Sequence, residues 1–132
     1  MMNGLCLIPE GRKNKEYSQD QRAEIYKVSN IKDLDKYLDY ADQSFLGVLY
    51  ISVKFGLTFA DDYVTQSPVP LYKYNLPQIK LWSKTIAEQI FRECLNQCVS
   101  RVYLMISRLG YYDYLIYELQ ISGIHVFTPF LE

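Results

Sequence analysis

The stretch FLGVLYIS, Phe45 to Ser52, decides the fold because it is apolar at nearly every position. A strand with one face in water alternates apolar and polar residues, whereas a strand covered on both faces does not. The run RVYLMIS, Arg101 to Ser107, has the same continuous character. These two segments therefore predict strands of a parallel sheet with helices packed against both of its faces.

Two more strands and several helices are predicted around this pair. The additional strands are GLCLIP, Gly4 to Pro9, and GIHVFTPF, Gly123 to Phe130. Helical spacing and capping signals predict a short helix from Ser18 through Tyr26 and a helix capped by Asn30 with Ile31, Leu34, Leu38 and Ala41 on one face. A long helix is predicted after Pro77, with an apolar stripe formed by Ile79, Trp82, Ile86, Ile90, Cys94 and Cys98. The last helix is predicted from about Tyr112 to Ser122, with Gly123 at its C′ position.

The alternation of strands and helices indicates right-handed crossovers between parallel strands. We therefore expect one α/β domain over residues 1–132, a three-layer α/β/α sandwich with a mainly parallel, Rossmann-like sheet of about four strands.

Composition limits the class of protein. The chain has 132 residues, 49% of them hydrophobic, which is enough for a core, and its net charge of −1 does not indicate a surface covered by nucleic acid. It has no apolar stretch of membrane-spanning length and no signal-peptide pattern at its N-terminus. Three cysteines do not make a disulfide framework. We expect a cytoplasmic protein without a membrane partner.

Basic residues come directly after three of the predicted strands. Arg12 and Lys13 follow the first strand, Lys54 with Gly56 follows the second, and Arg108 follows the third. Ligands of open parallel sheets bind at the carboxyl ends of the strands, so these residues predict a site for phosphate or carboxylate. The alternative is that the loops are simply solvated. No GxxxxGK[ST] or GxGxxG motif occurs, which disfavours a P-loop or a standard dinucleotide site.

Asp61, Asp62 and Ser52 are the candidate catalytic residues. Asp61 and Asp62 open the long segment beside the predicted rim, where a carboxylate could move a proton, although both could instead serve as ordinary loop residues. Ser52 ends the second strand and could orient a ligand together with Tyr74, whose ring could stack on a base. Asn75, next to Tyr74, could also help to start the following helix.

The cysteines and the single histidine favour structural roles. Cys94 and Cys98 lie one helical turn apart on the apolar stripe, and no second Cys/His pair completes a zinc site. We therefore expect both in the core, with no metal and no cofactor. Cys6 is expected to be buried in its strand, and His125 is expected to be a buried, hydrogen-bonded residue among apolar neighbours.

The second half of the chain resembles an uncharacterised family of small Rossmann-like domains, of the DUF type, found in phage, bacterial and archaeal genomes. The resemblance covers about residues 45–131 and rests on LYISVKFGL (49–57), YN (74–75), VYLMISRLGYYDYL (102–115) and GIHVFTPF (123–130). The matching positions are Ser52, Lys54, Gly56, Leu57, Tyr74, Trp82 and Tyr112. This resemblance implies layering similar to uracil-DNA glycosylases and a place near nucleic-acid-modifying enzymes.

The N-terminus departs from that pattern. LIPEGRKNK and EIYKV are similar to the family's first strand and to the segment after that strand, but Pro9-Glu10 occupies the place of a cysteine in such domains. The resemblance thus leaves open whether this chain is catalytic. The composition also looks like that of small proteins from viruses of thermophilic archaea, which would place it in the host cytoplasm.

Two functions remain as hypotheses. The first is a protein that binds a nucleotide, nucleic acid or other phosphate-bearing ligand, and that could act on a base, a glycosidic bond or a phosphodiester. Its ligand-binding residues would be Arg12, Lys13, Lys54, Gly56, Tyr74, Arg108 and Tyr112. The second is a non-catalytic homodimer or host-directed interaction protein that uses the tyrosines at positions 111, 112, 114 and 117.

Overall fold

The structure, a computed structural model, describes residues 2–9, 25–27, 33–53, 56–59, 63–65 and 73–132. In chain order its elements are β1 (Gly4–Pro9), β2 (Ile25–Lys27), α1 (Leu34–Gln43), β3 (Leu46–Ser52), β4 (Gly56–Thr58), β5 (Tyr63–Thr65), α2 (Leu76–Gln97), β6 (Arg101–Leu104), α3 (Tyr112–Ile121) and β7 (His125–Phe127). The predicted α/β class is confirmed.

The main sheet has five strands in the order β4-β3-β1-β6-β7. β1 pairs in parallel with β3 and with β6, and β6 pairs in parallel with β7. The mainly parallel sheet is thus confirmed. β4 was not predicted: it returns antiparallel to β3, with Ser52 opposite Gly56. Gly56 has φ 77°, a left-handed conformation that glycine adopts at little cost and that suits a tight reversal.

A separate two-stranded antiparallel ladder joins β2 to β5. The helix predicted from Ser18 through Tyr26 is therefore wrong at its end, because Ile25 and Tyr26 belong to a strand. Tyr26 is paired with Val64, which is far away in sequence, and a local capping signal carries no information about such a partner. Residues 18–24 lie outside the described residues.

Both faces of the parallel sheet are packed. Along β1, Leu5 and Leu7 belong to a cluster with residues of α2 and α3, whereas Cys6 and Ile8 belong to a second cluster with residues of α1. Alternate residues of one strand thus enter opposite cores, as the continuously apolar pattern predicts. Each fully buried Leu or Ile contributes about 1.5–3 kcal/mol relative to exposure.

α1 begins later than predicted. Its N-cap is Asp33, which has φ 64° and makes no side-chain capping hydrogen bond. Asn30 and Ile31 lie outside the described residues. Ala41 is buried as expected, but the other buried residue of the helix is Tyr37, which the predicted face did not include. Tyr37 is buried because it meets Phe130 edge to face, with 5.3 Å between ring centroids.

The start of α2 confirms the sequence signals. The Asn75 side chain accepts a hydrogen bond of 2.9 Å from the Gln78 amide, and the Gln78 side chain accepts one of 3.0 Å from the Asn75 amide. Pro77 lies in the first turn, where a missing amide proton costs nothing. The buried stripe of the helix includes Ile79, Ile86, Ile90 and Cys94, as predicted.

The end of α2 differs from the prediction. Cys98 is exposed, so its assignment to the core is wrong. Cys98 has φ 55°, in the left-handed region. Two hydrogen bonds close the helix there: the Val99 amide donates to Cys94 O at 3.0 Å, and the Cys98 amide donates to Leu95 O at 3.2 Å. This is the Schellman arrangement, which turns the side chain out of the helical stripe.

α3 ends in the same arrangement, this time with glycine. Gly123 has φ 88°, and the Ile124 amide donates to Leu119 O at 3.1 Å. The predicted C′ role of Gly123 is confirmed. The last two parallel strands are shorter than their apolar runs: β6 stops at Leu104 and β7 covers His125–Phe127.

Candidate functional site

The strand order reverses between β1 and β6. The chain moves from β1 to β3 on one side, and then from β3 across to β6 on the other side of β1. The connection after β1 leads to α1, whose residues pack on one face, and the connection after β6 leads to α3 on the opposite face. Connections that leave a parallel sheet in opposite directions open a crevice at the carboxyl ends of the two strands. The two strands end at Pro9 and Leu104.

The segment after β6 carries Arg108 out of the core. The Met105 amide still donates to Leu7 O at 2.9 Å, and Met105 and Ile106 are buried. Ser107 and Arg108 are exposed. The predicted ligand-binding residue Arg108 therefore lies on the carboxyl side of the sheet. The Glu132 amide donates to Ser107 O at 3.0 Å, which brings an acidic residue next to the same segment.

The end of β3 is tightly packed. Ser52 is only 1% exposed. Gly56, its partner in β4, lies against Gln89 of α2, whose Oε1 would collide with a Cβ atom at position 56. The Leu57 amide donates to the same Oε1 at 2.9 Å. The positive φ and the close approach of α2 thus explain why position 56 is a glycine. This structural role is separate from its predicted place among the ligand-binding residues.

Trp82 connects the end of β3 to the beginning of α3. Its Nε1–H donates to Val53 O at 2.9 Å, and its ring meets that of Tyr112 edge to face, with centroids 6.2 Å apart and an interplanar angle of 70°. Sequence reasoning placed Trp82 on the apolar stripe of α2 and gave it no role at the site. The indole itself was a usable signal in the sequence, because a half-buried indole N–H needs an acceptor and so indicates a polar contact.

The remaining predicted site residues divide into two groups. Tyr74 is half-buried in the turn before α2, and Tyr112 is half-buried at the first position of α3. Five predicted site residues lie outside the described residues: Arg12, Lys13, Lys54, Asp61 and Asp62. The convergence of Arg12 and Lys54 with Arg108 accordingly stays a prediction.

The N-terminus of α3 points toward the same edge, since the helix follows β6. Its N-cap residue, Tyr111, makes no side-chain capping hydrogen bond. The Tyr114 amide donates to Asp113 Oδ1 at 2.9 Å, so an acidic side chain already occupies part of the first turn. The helix dipole favours an anion at this end of α3, whereas the negative charge of Asp113 repels one.

His125 and the cysteines differ in how far they agree with expectation. His125 is exposed, so the predicted burial is wrong: β7 is an edge strand, and in it only Val126 faces the apolar cluster.

Cys6 and Cys94 are buried, as expected. Burial raises the pKa of the Cys6 thiol to about 12 and that of Cys94 to about 11, the latter with a smaller contribution from Glu93. Among the described residues, no three His, Cys, Asp or Glu side chains are grouped to hold a metal ion.

The chain was compared with protein-family models, curated proteins and solved structures, and none of them matches it. The resemblance to small Rossmann-like domains therefore stays a prediction. In the part of the chain that the structure describes, no helix has the length and apolar character needed to cross a membrane.

Proposed function

We propose that the chain is a three-layer α/β/α, Rossmann-like domain that binds a nucleotide or another phosphate-bearing ligand at the carboxyl edge of its parallel sheet. The observation that carries this proposal is the reversal of strand order between β1 and β6. Ligands of open α/β sheets bind at that topological position because the neighbouring connections separate there. The proposal concerns binding and assigns no reaction.

The residues near this edge support an anionic ligand in part. Arg108 is exposed on the segment that comes after β6, and the N-terminus of α3 adds partial positive charge from its backbone amides. The acidic residues Glu132 and Asp113 lie near the same edge and disfavour an anionic ligand. In this proposal the arginine holds the phosphate by charge-assisted hydrogen bonds, and Arg12, Lys13 and Lys54 supply the further positive charge that outweighs the two acids.

The test is a ligand screen by thermal unfolding with a matched pair of arginine variants. Inorganic phosphate, nucleoside mono- and triphosphates and short oligonucleotides are added to the wild type, and a bound ligand raises the melting temperature. Arg108→Ala should weaken the binding at least about tenfold, since a hydrogen bond to a charged group contributes about 1.5–3 kcal/mol and about 1.4 kcal/mol is a factor of ten. Arg101→Ala is the control, because Arg101 is also exposed but begins β6, at the amino edge.

Two further results decide the proposal. Glu132→Gln should tighten phosphate binding, since it removes a negative charge beside Ser107. If none of these ligands raises the melting temperature, or if Arg101→Ala and Arg108→Ala weaken binding equally, the carboxyl edge is not an anion site.

A further inference from the structure

The outer surface of α2 and α3 carries large apolar side chains where water is expected. Leu81 and Leu95 on α2, and Tyr117 and Ile121 on α3, each expose 60% or more of their surface, and Phe91 exposes 36%. Leu81 is two residues from the buried Ile79 and Ser83, which places it about 200° around the helix from both. We call these five residues the α2/α3 face. Large apolar side chains that stay exposed on two packed helices indicate an interaction surface.

A groove runs along the α2/α3 face. It has a volume of about 500 Å³ and is lined by Lys80 of α2 and by four residues of α3, Asp113, Tyr114, Tyr117 and Glu118. The Lys80 Nζ lies 5.8 Å from the centroid of the Tyr114 ring. Both helices run from the carboxyl edge of the sheet back toward its amino edge, so they are parallel neighbours and the groove lies between them.

The two helices differ in charge. The charged residues of α2 are three bases, Lys80, Lys84 and Arg92, and two acids, Glu88 and Glu93, so the helix has one more base than acids. The charged residues of α3 are Asp113 and Glu118, and α3 has no basic residue. The α2/α3 face therefore has a basic side and an acidic side, with apolar residues on both helices.

We propose that the α2/α3 face is the interface of a homodimer in which α2 of each protomer packs on α3 of its partner around a two-fold axis. A two-fold axis between two parallel helices exchanges their positions, so the basic helix of one protomer meets the acidic helix of the other, twice. A face of one sign would repel its own copy, whereas this face is complementary to itself. This axis runs parallel to the helices, so α2 packs parallel to α3 of the partner and the four helices form one bundle.

The α2/α3 face also explains the tyrosines of α3. Tyr117 is among the most exposed apolar residues, whereas Tyr112 and Tyr114 are half-buried within the protomer. A tyrosine suits an interface because it adds a large apolar area at a small entropic cost. The dimer does not depend on the proposed phosphate site, which lies at the carboxyl edge of the sheet.

The first test measures the oligomeric state by sedimentation equilibrium. The wild type should be a dimer, and Leu81→Lys or Ile121→Lys should raise its dissociation constant at least about tenfold, the effect expected for residues at the centre of an interface. Leu131→Lys is the matched control: Leu131 is also exposed but lies after β7. Because these side chains are exposed in the protomer, circular dichroism should show each variant folded.

The second test uses charge reversal in two partners. One variant, Lys80→Glu/Lys84→Glu, has acidic α2 and α3, and the other, Asp113→Lys/Glu118→Lys, has basic α2 and α3. Each should be monomeric alone because α2 then meets α3 of like charge, and an equimolar mixture should form a heterodimer. Mixing cannot repair a folding defect of either variant, so a dimer that forms only in the mixture shows that α2 contacts α3 of the partner.

Three outcomes overturn the proposal. A wild type that stays monomeric up to about 1 mM, the weak limit of specific association, has no dimer interface. A dimer that Leu81→Lys and Ile121→Lys leave intact uses another surface. A mixture of the two charge-reversed variants that stays monomeric excludes pairing of α2 with α3 of the partner.

Discussion

The indole of Trp82 and the phenol ring of Tyr112 are in edge-to-face contact, 6.2 Å apart between centroids. The two residues belong to different helices and are separated by β6 in sequence. Since Trp82 also donates to Val53 O, this contact ties the end of β3 to the beginning of α3. The chain has one tryptophan, so its fluorescence reports on this junction alone.

Trp82→Phe should lower the free energy of unfolding by about 1–2 kcal/mol, because an aromatic ring stays but the hydrogen bond to Val53 O is lost. Urea unfolding followed by circular dichroism measures the change. Tyr111→Phe is the control and should be neutral, since Tyr111 is exposed and does not belong to the α2/α3 face. Equal stability of Trp82→Phe and wild type would show that the indole hydrogen bond contributes nothing.

Cys98→Gly should raise the free energy of unfolding by about 0.5–1 kcal/mol, because glycine adopts the left-handed conformation without the steric cost of a Cβ atom. Cys98 has φ 55° and is exposed, so no packing is lost. Cys98→Ala keeps the Cβ atom and is the control that should not gain stability. A gain of the same size in both variants would assign the effect to the thiol instead.

Ser83→Ala should raise the free energy of unfolding by about 1 kcal/mol, since a buried hydroxyl without a hydrogen bond is costly and alanine is the better helix former. Ser83 is fully buried in α2, and its Oγ has no hydrogen-bond partner among the described residues. Ser100→Ala, at an exposed position, is the control. A loss of stability in Ser83→Ala would show that the hydroxyl has a partner, for which a buried water molecule is the candidate.

Stability should fall as the pH rises above about 8.5, the pKa of a free cysteine in the unfolded chain. Burial raises the pKa of Cys6 to about 12 and of Cys94 to about 11, so both stay protonated in the folded state while the unfolded state loses their protons. The unfolded state then binds fewer protons, and the free energy of unfolding decreases with pH.

Urea midpoints between about pH 7 and about pH 10.5 measure this decline, since the range spans the unfolded pKa and stays below the folded values. Cys94→Ala should show a shallower pH dependence than the wild type, whatever its stability at neutral pH. Thiol titration gives an independent readout: in the native protein only the exposed Cys98 should react quickly, and all three cysteines should react after unfolding. Rapid native labelling of Cys6 would contradict its burial.

The sequence by itself was sufficient wherever the cause is local or periodic. Continuous apolar runs predicted β3 and the beginning of β6 correctly because both faces of a buried strand must be apolar. Asn75 and Pro77 predicted the start of α2, and Gly123 predicted the end of α3, because helix ends depend on a few adjacent residues.

The tertiary structure alone decided the features that depend on distant partners. The reversal of strand order between β1 and β6, the antiparallel return of β4 and the pairing of Tyr26 with Val64 join segments that no local pattern connects. The exposure of Cys98 and His125 was likewise set by a left-handed helix end and by an edge strand. Periodicity tells which side chains are apolar, but the neighbours that cover a face come from elsewhere in the chain.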